Sequence, residues 1–345
     1  MRVLMLSTDS QMFTEGSAVR ARILEYGKLF EELHVVIYTR QTTDDKRLTA
    51  TIAGNIFLYP TNGRFKFLYF RDAYRLSRSL VVSRGLSVIT SQDPFETGLV
   101  AWRLKNKFKL PWQVQIHTDF LSPYFAAASL KNRLRVLLAK WLIKKADRIR
   151  VVSDRVKHSL ATRYPLLVDR ITVLPIFVDI EKFRHGNPDA QFIQKNNPGK
   201  AFVILTVARP GPEKNLKLAA DIVNELKKRH QNLKWILISS GETLGSLVNY
   251  YKIADLFLLT SNYEGYGMAA VEATAAGVPV VMTDVGVALG RTFPVGDKIK
   301  GVEIIDKLIN DPAERKKVVE EQNRFLENWP TRVQYLEQYK KSLTF

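Results

Sequence analysis

The stretch Leu256-Phe257-Leu258-Leu259-Thr260-Ser261-Asn262-Tyr263-Glu264-Gly265-Tyr266-Gly267-Met268-Ala269-Ala270-Val271-Glu272-Ala273-Thr274-Ala275-Ala276-Gly277-Val278-Pro279-Val280-Val281-Met282 decides the fold. Its first five residues read as a strand, and a loop with two glycines follows. Met268 to Ala276 reads as a short helix, ended by Gly277 in a left-handed cap. Pro279-Val280-Val281-Met282 is the next strand. Strand, helix, strand at this spacing implies a parallel sheet.

The same alternation continues in both directions. In the second half, Phe202–Val207 reads as a first strand, the loop Arg209-Pro210-Gly211-Pro212-Glu213-Lys214-Asn215 enters a helix through about Arg229, and Trp235–Ser239 is the next strand. The polar run Lys195–Lys200, with Pro198 and Gly199, reads as a linker. In the first half, Arg2–Ser7 is a strand, Gly16-Ser17 lead into a helix through about Leu33, and His34–Thr39 is a strand. Leu86–Thr90, Trp112–Ile116 and Arg148–Ser153 are later strands, and the tail from Glu303 is helical. A chain of 345 residues exceeds one ordinary core. The expected class is α/β: two doubly wound Rossmann-like domains facing a cleft, with ligands at the carboxyl ends of the strands. The expected boundaries are 1–184 and 200–329, with a helix at about 330–345 packing back on the first domain.

Composition narrows the chemistry. With no cysteine, disulfides, thiolate zinc sites and cysteine nucleophiles are excluded. The five histidines are never spaced as a metal pair, and no Asp-x-Asp occurs. The start turns polar too soon for a signal peptide, and no apolar run approaches the roughly 18 residues that cross a bilayer. A cytoplasmic location is the expectation. Residues 1–184 carry 31 basic against 16 acidic residues, the remainder 21 against 18, and residues 101–150 alone 12 against 2. A basic first lobe points to an anionic partner.

Several residues of the second half converge. Arg209 and Lys214 share the loop after the first strand, where two cations suit a diphosphate. Glu264 lies in the loop after Leu256–Thr260, and Gly265 and Gly267 allow close backbone approach. Met268 opens a helix whose free N–H groups form a ready anion site. Glu272, one turn in, suits the vicinal diol of a ribose.

These residues carry a resemblance. Tyr263-Glu264-Gly265-Tyr266-Gly267-Met268-Ala269-Ala270-Val271-Glu272-Ala273, continuing through Gly277-Val278-Pro279-Val280-Val281, resembles the Glu-x7-Glu signature of retaining glycosyltransferases of family 4, which have the GT-B fold. Gly16, His117 in Gln115-Ile116-His117-Thr118, Ser153 after Ala146-Asp147, and Pro175, Asp179 and Phe183 extend the resemblance over most of the chain. It implies that Glu272 holds the ribose, Glu264 contacts the donor sugar, and Arg209 and Lys214 stabilise charge on the leaving diphosphate. His117 would act near the transferred sugar. Gly16, Gly265, Tyr266, Gly267 and Met268 would lie against the donor. The donor would be a nucleotide-diphospho-sugar substrate, with no resident cofactor and no metal. The acceptor would be a glycan or lipid-linked molecule of cell-surface polysaccharide synthesis.

Two departures from the family pattern stand out: Gly286-Val287-Ala288-Leu289-Gly290 lacks the acid expected after the glycine turn, and Ile176-Phe177 replace Asn-Gly after Pro175. Residues 240–249 are also too few for the helix and strand that relatives place there. Gly241 and Gly245 suggest a turn, and the donor domain reads as shortened.

Two other classes compete. Gly265-Tyr266-Gly267-Met268-Ala269-Ala270 fits a dinucleotide fingerprint, with Asp284 at the end of the next strand, which would mean a nicotinamide oxidoreductase. Charge alone suggests a non-catalytic nucleic-acid-binding protein, but no recognition motif for nucleic acid is present. The expected partners are therefore a nucleotide-sugar, its acceptor and an anionic membrane surface, and not nucleic acid.

Overall fold

The computed structural model describes residues 1–40, 50–65, 68–239 and 244–345. The chain divides into two compact units. Unit 1 comprises Met1–His117, Leu130–Leu174 and Val333–Phe345; unit 2 comprises Thr118–Ser129 and Pro175–Arg332. Residues 175–184, assigned to the first domain from the sequence, thus cluster with unit 2, as does the excursion 118–129.

The described residues of unit 1 form eight strands: β1 (Arg2–Ser7), β2 (Glu32–Ile37), β3 (Ala50–Ala53), β4 (Ile56–Pro60), β5 (Val88–Ser91), β6 (Trp112–Ile116), β7 (Arg148–Val151) and β8 (Ile171–Val173). Their order is β3-β4-β2-β1-β5-β6-β7-β8. All neighbours are parallel except the β3–β4 pair. The winding reverses beside β1, where Val3 pairs with Leu33 on one side and Val88 on the other. Ligands of such sheets bind at this reversal.

The first helix, Ala18–Gly27, stops short of the expected Leu33. Strand pairing is the reason: Glu32 is already in register with Arg2, so the chain must be extended by that point. The strands β3, β4 and β8 escaped the sequence reading. β3 and β8 are only four and three residues long, too short to show a period. β4 is a five-residue run over Ile56–Pro60 that was not singled out.

The end of the chain completes unit 1. In the helix Arg332–Ser342, Tyr335, Tyr339 and Ser342 are buried. Tyr339 stacks on Tyr26 with ring centroids 4.0 Å apart, and the Tyr26 and Tyr335 hydroxyls are 2.9 Å apart. Gln113 donates from Nε2 to the Ser342 carbonyl at 2.7 Å. Beneath these rings lies the buried Arg150, its guanidinium 5.0 Å from the Tyr339 ring centroid.

Among its described residues unit 2 holds five parallel strands: β9 (Phe202–Val207), β10 (Leu233–Ile238), β11 (Leu256–Leu259), β12 (Val280–Thr283) and β13 (Arg291–Phe293), in the order β10-β9-β11-β12-β13. The helix Leu216–Lys227 turns Leu218, Ala219, Ile222, Val223 and Leu226 onto this sheet. That spacing of three and four residues makes one apolar stripe. A helix, Leu244–Lys252, carries the chain from β10 to β11, and no strand lies between them among the described residues. Gly245 therefore sits in a helix and not in the expected turn; Gly241 lies outside the described residues. Helical spacing again explains the outcome, since Val248 and Tyr251, three apart, are both buried. Among the described residues no helix is long and apolar enough to cross a membrane.

The Tyr339 ring is fully buried, so its loss should be costly. Tyr339→Ala should destabilise the protein by about 3–5 kcal/mol in urea denaturation, as for other buried aromatic truncations. A loss below about 1 kcal/mol would show that the terminal helix is not part of the core of unit 1.

Candidate active site

In unit 2 the parallel strands bring three loops to one edge, those after β9, β11 and β12. Side chains and backbone stitch them together. The Thr260 hydroxyl lies 3.2 and 3.1 Å from the carbonyls of Lys214 and Asn215. Asn262 donates from its backbone to the Glu213 carbonyl at 2.7 Å and from Nδ2 to the Pro212 carbonyl at 3.0 Å. Asn215 donates from Nδ2 to Asn262 Oδ1 at 3.0 Å, and its Oδ1 caps the following helix at Leu218. Thr283 donates to the Ser261 carbonyl at 2.6 Å, and Val287 N–H to the Tyr266 carbonyl at 2.9 Å. A Cβ on Gly286, where φ is +57°, would fall 2.3 Å from that same Tyr266 oxygen, so only glycine lets the loops meet here.

Inside this frame, Lys214 Nζ donates to Glu264 Oε1 at 2.5 Å, and Ser261 Oγ donates to the same oxygen at 2.7 Å. The two charged side chains are 23% and 13% exposed, so the pair is partly withdrawn from water but reachable. Arg209, on the loop of Lys214, is exposed. Gly265, Tyr266 and Gly267 continue the loop of Glu264. Gly267 has φ +96° and caps the helix Met268–Ala275. Ala270 and Val271 donate back to the Gly267 carbonyl, so the N–H groups of Met268 and Ala269 precede the helical ladder and are offered at its amino end.

Glu272 is one turn inside that helix. Tyr251 donates from its hydroxyl to Glu272 Oε2 at 2.8 Å. Burial raises the Glu272 carboxyl above the usual carboxylate range, against the lowering effect of the Tyr251 hydrogen bond. Tyr251 itself is held well above the ordinary phenol range, first by burial and then by the Glu272 charge.

The remaining expected residues belong to unit 1. Gly16, with φ +74°, precedes the helix Ala18–Gly27, whose first turn is capped by Ser17 Oγ on Arg20 N–H at 3.0 Å. His117 directly follows β6, with Nε2 3.1 Å from Gln115 Oε1. Burial, then the nearby charges of Arg150 and Arg22, push the imidazole down to about 3. Unit 2 thus gathers Lys214, Glu264, Gly265, Tyr266, Gly267, Met268 and Glu272 on its loops and one helix. Sequence reading missed Ser261, Thr260, Asn262 and Tyr251. The polar run Thr260-Ser261-Asn262 at the end of an apolar strand was the available signal.

Among the described residues, no three His, Asp or Glu side chains come together as a metal site. Comparison with known proteins identifies the fold. The model of Glycosyltransferase Family 4 matches residues 23–182, and that of Glycosyl transferases group 1 matches residues 243–341. An uncharacterised glycosyltransferase of Methanocaldococcus jannaschii is 26% identical over 265 residues, covering 74% of this chain and 71% of that protein. The fold is similar to sucrose-phosphate synthase from Thermosynechococcus elongatus, with TM-score 0.76 at 17% identity over 99% of this chain and 98% of that one. It is also similar to Anabaena HepE in complex with UDP-glucose, with TM-score 0.71 at 16% identity over 99% of both chains. The two units are those of a GT-B glycosyltransferase. The chain belongs to the family 4 type of these enzymes.

The raised Glu272 carboxyl has a cost in stability. A carboxyl whose folded pKa lies above its unfolded value loses stability as pH rises from about 4.5 through the folded value. Glu272→Gln keeps an acceptor for Tyr251 and removes the charge. The variant should be more stable than the native protein at pH 8 in urea denaturation, and the gap should close as pH falls to about 4.5. A variant less stable at pH 8 would show that the charge is satisfied in place.

Proposed function

We propose that this protein is a retaining glycosyltransferase that moves a sugar from a nucleotide-diphospho-sugar to a glycan or lipid-linked acceptor in cell-surface polysaccharide synthesis, without a metal ion. The observation that carries this reading is the Lys214–Glu264–Ser261 cluster beside the amino end of the helix bearing Glu272. One surface thus offers a cation, backbone donors at a helix start and a half-buried carboxylate. These match a diphosphate and a ribose diol. The Anabaena protein of the same fold, which holds UDP-glucose, supports a nucleotide-sugar donor.

The chemistry follows from charge. As the bond from the anomeric carbon to the diphosphate oxygen breaks, negative charge grows on the leaving group. Arg209, Lys214 and the N–H groups at the start of the Met268 helix stabilise it, a contribution that rises toward the transition state. Glu264 pairs with Lys214 in the free protein and accepts hydroxyls of the donor sugar in the complex. His117 serves the transferred sugar, and Gly16 the approach of the first loop. The dinucleotide reading of Gly265–Ala270 leaves the Lys214–Glu264 pair without a role.

The test is release of nucleoside diphosphate and sugar from nucleotide-sugars in EDTA, with the product anomer followed by NMR. Retention and metal-independent turnover are expected; inversion or complete loss in EDTA contradicts the proposal. The two acids should separate. Glu272→Ala should weaken nucleoside-diphosphate binding at least about tenfold, or 1.4 kcal/mol. Glu264→Ala should spare that binding and reduce turnover, because its loss leaves Lys214 free for phosphate. Equal loss of affinity in both variants overturns the assignment.

The enzyme's place in the cell is read as the cytoplasmic face of an anionic membrane, with no nucleic-acid partner. The helix Leu130–Leu142 supports this. It packs inward through Val136, Ala139 and Leu142. On its outer side Leu130, Leu134, Leu137 and Trp141 are 71%, 61%, 64% and 41% exposed, at spacings of four, three and four residues. Lys131, Arg133, Lys144 and Lys145 are exposed along the same segment. An apolar stripe flanked by cations suits a headgroup surface, where each basic residue adds about 1 kcal/mol. Flotation should recover the protein with anionic and not neutral vesicles, and Leu134→Asp/Leu137→Asp should abolish recovery. Equal flotation with both vesicle types removes the electrostatic account.

A further inference from the structure

The side chain of His117 is held by a network whose hydrogen-bond directions have one consistent solution. Arg150 is buried beside it, and a guanidinium only donates. Its Nε reaches the Leu174 carbonyl at 3.0 Å, its Nη2 the Tyr335 hydroxyl at 3.0 Å, and its Nη1 Gln115 Oε1 at 2.9 Å. The Gln115 amide is therefore oriented with its oxygen toward Arg150. Flipping it would set an NH2 group against a cation. The other end agrees, since Gln115 Nε2 donates to Thr90 Oγ1 at 2.9 Å while the Thr90 hydroxyl proton goes to Gln113 Oε1 at 3.3 Å. Gln113 is in turn fixed by its donation to the Ser342 carbonyl.

The atom of Gln115 that faces His117 is that same oxygen, an acceptor. His117 Nε2 must then carry the proton. The ring has two nitrogens, and when one is an N–H in a neutral imidazole the other is a bare acceptor. The charged groups that face the ring are Arg150 and Arg22, both positive, and both oppose a second proton. The phenol of Tyr339 beside Arg150 is neutral at working pH, burial pushing it up to about 12.

We propose that Gln115, locked in orientation by Arg150, is a positioning residue that fixes His117 as the neutral Nε2–H tautomer and leaves Nδ1 as a hydrogen-bond acceptor, so that the group His117 receives is a hydroxyl and not a phosphate. A phosphate oxygen brings only lone pairs to Nδ1, whereas a sugar hydroxyl brings a proton. The proposal rests on the glycosyltransferase reading for the source of that hydroxyl, but the tautomer does not. His117 is thereby set to accept from a neutral group and not to pair with an anion.

The test uses the full chain labelled with 15N-histidine, with the His117 resonances identified by their loss in His117→Asn. At pH 7 the free protein should show a protonated Nε2 and a bare Nδ1, unchanged down to about pH 4.5, where an ordinary histidine is already an imidazolium. A bare Nε2, or an imidazolium at pH 7, overturns the proposal. In Gln115→Glu the carboxylate keeps the acceptor and adds a negative charge, so His117 should titrate with a midpoint above about pH 5. An unchanged midpoint in the folded variant would show that residue 115 does not control the ring. Saturating UDP-glucose should shift the Nδ1 resonance as it accepts a hydrogen bond, and inorganic phosphate should leave it in place. A phosphate-induced shift with protonation of the ring overturns the hydroxyl assignment. The free-protein spectrum decides the tautomer whatever the donor assays return, so failure of the transferase reading is separable from failure of this one.

Discussion

Parallel strands impose one constraint from which the candidate site follows: every strand of the unit 2 sheet ends at the same edge, and each end leaves backbone groups that need partners. Water can satisfy them, but a loop solvated on all sides is mobile. Here Thr260 and Thr283 end or follow strands and use their hydroxyls to hold the neighbouring loop's carbonyls. Asn262 and Asn215 do the same between the loops after β9 and β11. Lys214 and Glu264 are carried on loops that already hold each other. A ligand arriving there meets groups that need little further ordering, so less of its binding energy is lost to entropy.

Unit 1 meets a different demand, a buried cation. Placing a guanidinium in a core costs several kcal/mol unless its donors are paired. Arg150 is surrounded by a backbone carbonyl, a glutamine oxygen, a phenol oxygen and an aromatic face. Two of these partners, Tyr335 and Tyr339, come from the far end of the chain. After burial, the same charge also opposes protonation of His117. Core stability and the state of a site residue therefore share one side chain.

Much of this was legible in sequence, for physical reasons. Strands buried on both faces are near-continuous apolar runs, and β1, β6 and β9 match their expected spans. The glycine at 277 and the loop from Tyr263 to Met268 mark themselves by their conformational needs. Short edge elements such as β8 and β13 carry too few residues for a period, and their extended form comes from pairing. The helix at Leu244–Lys252 was hidden because Gly245 reads as a breaker, while the burial of Val248 and Tyr251 overrides that weak local preference. The pairing of Lys214 with Glu264, fifty positions apart, and of Tyr251 with Glu272 has no signature in sequence at all. Nor does the Gln115–Arg150 contact, because glutamine and arginine on adjacent strands normally announce a solvated face.

The membership of Val333–Phe345 in unit 1 has a consequence for how the molecule is made. During synthesis most of unit 1 emerges before the sheet of unit 2, yet Tyr335, Tyr339 and Leu343, which close its core, emerge after that sheet. Unit 2 carries its whole five-stranded sheet between residues 202 and 293 and has no such wait. On the ribosome the second unit is thus able to reach its native packing while the first still exposes Tyr26 and the side of Arg150 that Tyr335 and Tyr339 cover. For that interval the nascent chain presents an apolar face with a cation at its centre, the kind of surface on which chaperones act.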